Sequence, residues 1–402
     1  MPIVIGTQNA KVRCANIAMA SAFFQRSKDW LYKKLTDAYT STSLVEPFAM
    51  IGSAPPMELF QGKLKLRTVP SFTMQVPNLL YKSALKIAQT DLEGDQTGTV
   101  IKLSSAVGLR LAEFPDMLFA RRLLTASVAN SQYQTFQGVT YTTTFDAQPF
   151  FSSSHNDWYS GGTQSNIIQG YLPNTEAGVA AQDLAVTANQ LVKDLQLVIS
   201  AIKKVRDTSG IPFYPTLDPK TSIVVVGPPC LEPAFQLAFR TAGTIGGTNG
   251  GSSGATTNVA PMFVKDCYTH GYLAGIRDPE SASGAMLTPV NPTDYYIFVT
   301  NDYVKPFYVQ NFRPLKESEF FPPGYNPEAE VDRILKANSA ISVDAATQFA
   351  STRVDTTFGR IGANADEYTI VNDNFLVSAR FRGNITYGPW FTGWRVKCAS
   401  GS

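Results

Sequence analysis

The residues whose types could do chemistry lie around the two histidines of the chain. His155 follows the run Ser152–Ser154 and precedes Asp157, which are the residue types of a catalytic Ser–His–Asp triad. In such a triad, the histidine takes the proton of the attacking serine while the aspartate orients the ring. The three groups must converge from separate elements, whereas these residues are neighbours in one loop. We therefore predict that His155 is a loop histidine held in place by hydrogen bonds.

The second histidine, His270, follows Cys267 by three residues, and the two could begin a metal site. No second pair completes the four ligands that a structural zinc ion needs. The other cysteines, Cys14, Cys230 and Cys398, are far apart and form no Cys-x-x-Cys spacing. We predict four free thiols and no metal site, which is typical of a protein made in a reducing compartment.

A glycine-rich run at residues 243–258 has the composition of a phosphate-binding loop. The Walker pattern requires a lysine that this run lacks, and a dinucleotide fingerprint must follow a strand and open a helix. Because the run follows a predicted helix, we expect a mobile surface loop instead. The acid pair Asp366-Glu367 has the features of a solvated loop rather than of an acid–base couple. The sequence therefore predicts no catalytic residue, no cofactor site and no enzymatic activity.

The composition favours a protein that covers its surface with copies of itself. Charged residues make up 16% of the 402 residues, against about 25% in ordinary soluble domains. The net charge of +2 leaves only diffuse contact with nucleic acid. We expect the basic pairs at 33–34, 121–122 and 203–204 on solvated helix faces. No apolar run is long enough to span a membrane and no signal peptide is recognisable, so we expect synthesis and use in the cytosol.

Two segments are predicted to be long helices. Between residues 98 and 130, apolar residues from Leu103 to Phe114 form one stripe, and Pro115 either kinks this helix or begins a second one. Between residues 178 and 206, apolar residues from Leu184 to Val205 recur at spacings of three and four. This second helix has the heptad spacing of a coiled coil, but a single stripe lying on a sheet is favoured.

The strands are predicted from shorter apolar runs. Residues 223–227 form a fully apolar run, typical of a buried strand, and a short helix at about 231–240 follows. Prolines make residues 314–338 largely an extended insertion. The other predicted strands lie at residues 262–264, 272–276, 295–299, 304–312, 339–343, 349–358 and 374–387.

Residues 46–78 are predicted to form a long β-hairpin. From Gly62 to Val69, basic and apolar residues alternate with a period of two, which gives the strand one basic and one apolar face. The alternation continues after Pro70. A two-stranded ribbon of this size is marginal in water, so it needs a surface to lie on. In a multimer, that surface can belong to a neighbouring subunit.

Three stretches resemble segments of one known family. Residues 225–232 (VVGPPCLE) are similar to its valine strand with Pro-Pro and Leu-Glu, and residues 304–310 (VKPFYVQ) to its Val-Lys-Pro-Phe strand. Residues 387–390 (YGPW) are similar to its closing strand. Residues 150–155 give a weaker likeness, because the acidic residue and the proline of the relatives are replaced there. On these motifs the chain resembles the major capsid proteins of Mu-like tailed bacteriophages, which share the HK97 capsid fold.

The resemblance implies an α+β fold of the HK97 capsid type. Its expected parts are an N-terminal arm at residues 1–45, an extended β-hairpin loop at 46–78, a peripheral domain with a long spine helix at 79–150, an axial α/β domain at 151–303, and return strands of the peripheral domain at 304–402 with a Pro-rich insertion at about 314–366. A fused scaffold is not expected before the extended loop. The expected inter-subunit contacts on the loop are Lys63, Leu64, Lys65, Leu66, Arg67 and Phe72.

The resemblance also implies a function. The chain would be a structural major capsid protein that self-assembles, as hexamers and pentamers, into the icosahedral head shell around the double-stranded DNA of a tailed phage. We expect it in the virion after assembly in the host cytoplasm. The expected partners are a scaffolding protein, a portal, packaged DNA in weak non-specific contact, and a decoration protein, with no membrane. Some relatives cross-link Lys to Asn, and Lys63 or Lys65 has a suitable place but no evident partner.

Other functions remain open from the residues. An encapsulin-like nanocompartment would use the same fold to hold cargo enzymes instead of DNA. An α/β enzyme would need a convergent polar cluster, which the sequence does not present. A tail or baseplate component would be mostly β, whereas two strong helices are predicted here.

Overall fold

The computed structural model describes the chain at residues 4–27, 31–51, 57, 59, 71–88, 98–157, 161–214, 217, 218, 222–241, 243–245, 256–258, 260–281, 283–300, 305–312, 326, 329, 333, 354–356, 359–364 and 374–399. Within these residues, long helices accompany two larger sheets of mixed strand direction. This arrangement confirms the predicted α+β class. Among the described helices, none combines the length and the apolar character that crossing a bilayer would require.

The elements are numbered in chain order. The α-helices are α1 (Val4–Ser27), α2 (Tyr32–Leu35), α3 (Thr99–Thr125), α4 (Glu176–Ala180), α5 (Leu184–Lys204) and α6 (Glu232–Phe235). The 3-10 helices are Pro229–Leu231, Ala260–Met262, Gly271–Ala274 and Trp390–Thr392, and a π-helix spans Gln236–Arg240. The strands are β1 (Thr36–Ser41), β2 (Val45–Ile51), β3 (Ser71–Pro77), β4 (Leu79–Ala88), β5 (Tyr133–Phe136), β6 (Val139–Thr142), β7 (His155–Asn156), β8 (Thr163–Gln164), β9 (Ile167–Pro173), β10 (Ile223–Gly227), β11 (Gly243–Ile245), β12 (Thr256–Asn258), β13 (Asp266–Thr269), β14 (Ile276–Arg277), β15 (Met286–Leu287), β16 (Tyr295–Val299), β17 (Phe307–Phe312), β18 (Val354–Thr356), β19 (Gly359–Asn364), β20 (Asn374–Tyr387) and β21 (Gly393–Ala399).

The predicted spine is a single helix, α3, which continues through Pro115. A proline inside a helix removes one backbone donor and usually bends or breaks it. Pro115 is buried, and the next residue, Asp116, uses its carboxylate to accept hydrogen bonds from the backbone N–H groups of Leu31 (3.3 Å) and Tyr32 (3.0 Å). The spine is thereby tied to the start of α2. Of the two alternatives that the proline left open, the structure selects one helix.

Helix α1 lies across α3 at very close range. A Cβ added to Gly108 of α3 would meet the carbonyl oxygen of Met19 in α1 at 2.1 Å, so only glycine fits at the crossing. Around it, the α1 side chains Ala15, Met19 and Phe23 are buried. The N-terminal segment, expected to be an arm, therefore contains a long helix that packs on the spine of its own chain.

One predicted basic pair proves to be buried rather than solvated. Arg121 binds Asp278 (Nε to Oδ1, 2.6 Å), and Arg122 binds Glu280 (Nη2 to Oε1, 3.0 Å). Arg122 also donates from Nε to the carbonyl oxygen of Ile385 at 2.8 Å. The expectation of a solvated face at 121–122 was wrong, because the acidic partners lie far along the chain and local charge patterning cannot show them. The pairs at 33–34 and 203–204 are exposed, as expected.

Helix α5 follows the predicted periodicity and lies on a sheet. Its N-cap, Asp183, accepts a hydrogen bond from the backbone N–H of Ala185 at 3.1 Å, and Lys203 and Lys204 occupy its last turn. The predicted stripe is buried apart from Leu184 at the start, which is 45% exposed. The short α4 precedes it, so the predicted segment 178–206 divides into two helices.

The sheet beneath α5 has five strands in the order β13-β10-β16-β21-β9. Strand β10 is parallel to β13 and antiparallel to β16, and β21 is antiparallel to β16 and parallel to β9. Every residue of β10 and β16 is buried, as the apolar runs predicted. The largest fully buried side chains include Trp394, Tyr295 and Phe298 of this sheet, which places a large part of the core here.

A second sheet has six strands in the order β1-β17-β20-β19-β18, with β4 also paired to β20. The long β20 begins and ends where the sequence predicted a strand, and it pairs with β17, β19 and β4. Strand β1 is parallel to β17, so the segment after α2 joins strands from the other end of the chain. This sheet brings the N-terminal, hairpin and C-terminal segments together.

Several predicted strands take a different form. Residues 260–262 form a 3-10 helix and the strand begins later, at Asp266, which differs from the prediction for 262–264. Residues 271–274 form another 3-10 helix, because the His270 side chain caps it by accepting from the Tyr272 backbone N–H at 3.3 Å. The strand expected at 272–276 was therefore wrong except at its end. Residues 339–343, most of the insertion 314–366 and the loop tip at 246–255 lie outside the described residues.

Candidate assembly surfaces

The predicted hairpin is present at its base. Strands β2 and β3 pair antiparallel from Val45 opposite Pro77 to Ile51 opposite Ser71. Burial alternates along β3 as the apolar residues do in the sequence: Met74 is buried, whereas its neighbours along the strand are exposed. Met74 and Val76 of β3 form a small apolar cluster with Phe145. The base of the ribbon is thus held by its own chain.

Three buried amide side chains fix the hairpin to the six-stranded sheet. Gln310 of β17 donates from Nε2 to the carbonyl oxygen of Val76 at 3.0 Å. Asn384 of β20 donates from Nδ2 to the carbonyl oxygen of Pro77 at 2.8 Å. Asn78 donates from Nδ2 to the carbonyl oxygen of Ser43 at 2.7 Å and to the hydroxyl of Ser41. Because buried backbone acceptors need partners, these amides set where the hairpin leaves the sheet.

The turn between β1 and β2 is closed by one carboxylate. Glu46 Oε1 accepts from the Ser41 hydroxyl at 2.8 Å and from the backbone N–H groups of Thr42 and Ser43 at 3.1 Å. The Ser41 hydrogen bond, with the backbone donors, holds the pKa of Glu46 below its usual range. The ionised carboxylate therefore stabilises the entry to the hairpin.

Aromatic rings line a cleft at the same place. The rings of Phe48 and Tyr308 stack with centroids 5.4 Å apart, and Tyr39 meets both edge-on at 5.3 and 5.5 Å. The cleft between β1 and β2 has a volume of about 310 Å³ and includes Glu46 in its lining. Rigid rings at the base give the hairpin a fixed direction.

Beyond its base, the hairpin exposes apolar side chains. Met57 and Leu59 are 104% and 85% exposed. Five of the expected inter-subunit contacts lie outside the described residues, namely Lys63, Leu64, Lys65, Leu66 and Arg67. Phe72, the sixth, is half-buried against the cluster of Met74 in its own chain, and its contact with a neighbour stays a prediction.

The histidine of the triad-like stretch is fully buried in a hydrogen-bonded site. His155 Nδ1 lies 2.6 Å from Asp146 Oδ2, and Nε2 lies 3.2 Å from the carbonyl oxygen of Phe150. The imidazole stacks on the indole of Trp390 with centroids 4.4 Å apart. Asn166 completes the site by donating to the carbonyl oxygens of Phe150 and Trp390. These contacts join a loop to the C-terminal segment.

The serines next to this histidine do not form a triad with it. The hydroxyls of Ser152 and Ser154 hydrogen-bond to each other at 3.0 Å, and no contact of the described residues joins them to the His155 ring. A general base must reach the hydroxyl whose proton it takes. The prediction that hydrogen bonds hold His155 in place is confirmed, although the residue begins the short strand β7 instead of lying in a loop.

The second histidine directly follows β13 and faces the spine helix α3. His270 Nε2 is 4.0 Å from Asp116 Oδ2, and burial lowers the pKa of His270 and raises that of Asp116. Cys267 is buried, and burial raises the pKa of its thiol. Among the described residues, no three side chains are grouped as metal ligands. The sequence reasoning missed the contact of His270 with Asp116, since it joins residues more than a hundred positions apart.

The comparison with protein families gives one match. Residues 15–178 match the family described as the Mu-like prophage major head subunit gpT. The matched region contains α1 from Ala15 onward, the hairpin base, the spine and the residues of the His155 site other than Trp390. No curated protein sequence matches the chain.

Solved structures similar to this chain include two phage capsids and a virus-like particle. The bacteriophage JBD30 capsid protein is 14% identical, with a TM-score of 0.45 over 60% of this chain and 90% of that chain. The cyanophage P-SCSP1u capsid protein is 12% identical, with a TM-score of 0.49 over 92% and 89%. The virus-like particle from Pyrococcus furiosus is 9% identical, with a TM-score of 0.39 over 94% and 97%.

The family match covers 164 of the 402 residues. It includes the spine helix α3 and the root of the hairpin. The encapsulin-like alternative is not favoured. Over residues 15–178, the chain is similar to the major head subunit of Mu-like prophages.

Proposed function

We propose that the chain is a structural major capsid protein of the Mu-like tailed-phage type, which self-assembles into the icosahedral head shell of the virion, and that the hairpin at residues 46–78 carries the main contact between its neighbouring subunits. The proposal rests on a difference between the base of this segment and the residues beyond the base. Its base is fixed by buried amides and aromatic rings, whereas Met57 and Leu59 beyond it are exposed. A rigid root and an apolar extension are what a subunit needs to reach a neighbour, because burial there offsets the entropy lost on ordering the loop.

The other parts of the chain take the remaining roles in this proposal. Residues 79–150 form the peripheral domain around α3, residues 151–303 the axial domain around α5, and residues 304–402 return to the peripheral sheet, with an insertion at about 314–366. The N-terminal segment 1–45 remains packed on the spine through α1. The close contact between Gly108 and Met19 supports this part of the proposal. Hexamers and pentamers assemble from such subunits in the host cytoplasm.

The protein acts without catalysis, metal or cofactor in this proposal. The hydrogen bonds of His155 support a structural role, since both ring nitrogens already have partners. A scaffolding protein and a portal direct assembly, a decoration protein binds the outside, and packaged DNA is held weakly and without sequence preference.

Paired substitutions in the hairpin test the proposal. Leu64→Asp with Leu66→Asp places two charges on the face that is expected to be covered, and it should abolish closed shells seen by negative-stain electron microscopy. Burying an unpaired charge costs several kcal/mol, about the magnitude that undoes a specific contact. The matched control, Leu64→Met with Leu66→Met, keeps an apolar face and should assemble. Normal shells from the aspartate variant, expressed with its scaffolding protein, would refute the assignment.

A further inference from the structure

The exposed face of α5 carries positive charge without any negative charge. Lys193, Lys203 and Lys204 are exposed, and so is Arg206 just beyond the helix. Between residues 184 and 206 the sequence contains one acidic residue, Asp194, which is buried on the opposite side against the sheet. The four cations thus lie on one side of one element, facing away from the core.

These cations differ from several arginines of the described chain. Arg121 and Arg395 pair with carboxylates, and even the exposed Arg110 pairs with Glu113 at 3.2 Å. No ion pair of the described residues involves the four cations of α5. The acid that follows Arg206, Asp207, turns inward and accepts from the backbone N–H groups of Ser209 and Ile211 at 2.7 and 3.0 Å. Within the described residues, no carboxylate therefore pairs with the cations of this face.

The helix dipole does not account for the pattern. Cations in the last turn of a helix interact favourably with its C-terminal end, which explains Lys203 and Lys204 alone. Lys193 lies in the middle of α5, where this effect has faded. Its ammonium group lies 5.9 Å from the centre of the exposed ring of Tyr171 on the neighbouring strand β9.

The spacing of the lysines fits a duplex. Lys193 and Lys204 are eleven residues apart, about three turns at 3.6 residues per turn, so they lie on the same side about 16 Å apart along the helix. Each strand of DNA presents a phosphate about every 3.4 Å of axis, so a helix face of this length meets several phosphates. Lysine ammonium groups bind phosphates as point charges, and contacts with phosphates carry no sequence information.

From these observations we infer that the exposed face of α5, with Lys193, Lys203, Lys204 and Arg206, is the surface through which the shell contacts its packaged double-stranded DNA. The inference rests on the proposed function of the chain as a head-shell protein, and it assigns to one helix a contact that was expected to be diffuse. It also places this face of the axial segment on the inside of the shell.

Substitution of two lysines tests the inference on the full-length chain. The variant Lys193→Gln with Lys204→Gln is compared with Lys82→Gln with Lys102→Gln, which removes the same charge from exposed positions on β4 and α3. Binding of the unassembled protein to a random-sequence duplex of about 30 base pairs is followed by fluorescence anisotropy from about 50 to 200 mM salt. For the α5 variant, the logarithm of the binding constant should fall less steeply with the logarithm of the salt concentration. Its slope should be smaller in magnitude by up to about 1.8, since each phosphate contact contributes about 0.9. The control should change it much less.

Three outcomes would overturn the inference: no binding by the unsubstituted protein at low salt, an equal loss in the control, or an unchanged slope in the α5 variant. Negative-stain images of both variants, expressed with the scaffolding protein, separate this inference from the proposed function. Closed shells with weakened DNA binding support both. Failure of the α5 variant to assemble while the control forms shells would show that α5 faces another subunit. Failure of the unsubstituted protein to form shells would instead refute the proposed function.

Discussion

Replacement of Asp194 by asparagine should make the stability of the subunit less dependent on pH. Asp194 is fully buried between α5 and its sheet. One carboxylate oxygen accepts from the Tyr295 hydroxyl at 2.8 Å and the other from the backbone N–H of Tyr171 at 3.1 Å. Burial raises the pKa of this carboxyl from 3.8 to about 6, because the two hydrogen bonds do not fully replace the lost water.

The sign of the effect follows from the direction of this shift. A carboxyl whose pKa is higher in the folded state binds its proton more tightly there, so stability falls as pH rises from 3.8 to about 6. The full shift is worth about 3 kcal/mol, at 1.36 kcal/mol per unit. The loss caused by Asp194 is then about 1 kcal/mol at about pH 4.5 and about 3 kcal/mol at about pH 7.5. Asparagine has the same shape and never ionises.

The assay is denaturant unfolding of the unassembled full-length chain, followed by the fluorescence of the buried Trp390 and Trp394. The free energy of unfolding of Asp194→Asn minus that of the unsubstituted protein should rise by about 2 kcal/mol between about pH 4.5 and 7.5. Asp183→Asn removes a carboxylate from the exposed start of the same helix, and its difference should vary far less. A difference for Asp194→Asn that is constant or that falls with pH would refute the reasoning.

Two further predictions concern α3, and both are measured by denaturant unfolding. Gly108→Ala should destabilise the chain by about 1–3 kcal/mol, although alanine favours helices, because its Cβ would overlap the carbonyl oxygen of Met19. The control, Ala106→Ser on the exposed side of the helix, should change the free energy of unfolding little. A stabilised Gly108→Ala variant would contradict the close crossing. Arg122→Met should cost about 2–4 kcal/mol, since it leaves the buried oxygens of the Ile385 carbonyl and the Asn384 amide without their donor, whereas Arg110→Met at an exposed pair should cost less than about 1 kcal/mol. Equal losses in the two arginine variants would exclude the buried network as their cause.

The elements that could be predicted are those whose pattern repeats within one segment. The stripe of α5 and the apolar runs of β10 and β16 depend on neighbours in sequence, so the sequence alone locates them. The same holds for the hairpin base, where β2 and β3 pair as the predicted hairpin requires. Of these features, β10 overlaps one of the three stretches that carry the resemblance to phage capsid proteins.

What could not be predicted depends on contacts between distant segments. The local sequence around Arg121 and Arg122 has the pattern of a solvated face. Their partners, Asp278 and Glu280, lie more than 150 residues later in the chain. The close crossing at Gly108 requires knowledge of where α1 lies. The buried Asp194, which controls the largest pH effect expected here, has no local signature, since an aspartate in a helix is usually solvated.

The pairing of early and late strands affects how the chain folds during synthesis. Strand β1 pairs with β17, β4 with β20, and β9 and β16 with β21, so each early strand needs a partner that is synthesised much later. Contacts between such distant segments are slow to form, and unpaired strand edges favour aggregation in the meantime. A nascent chain therefore exposes open strand edges until β20 and β21 have been synthesised.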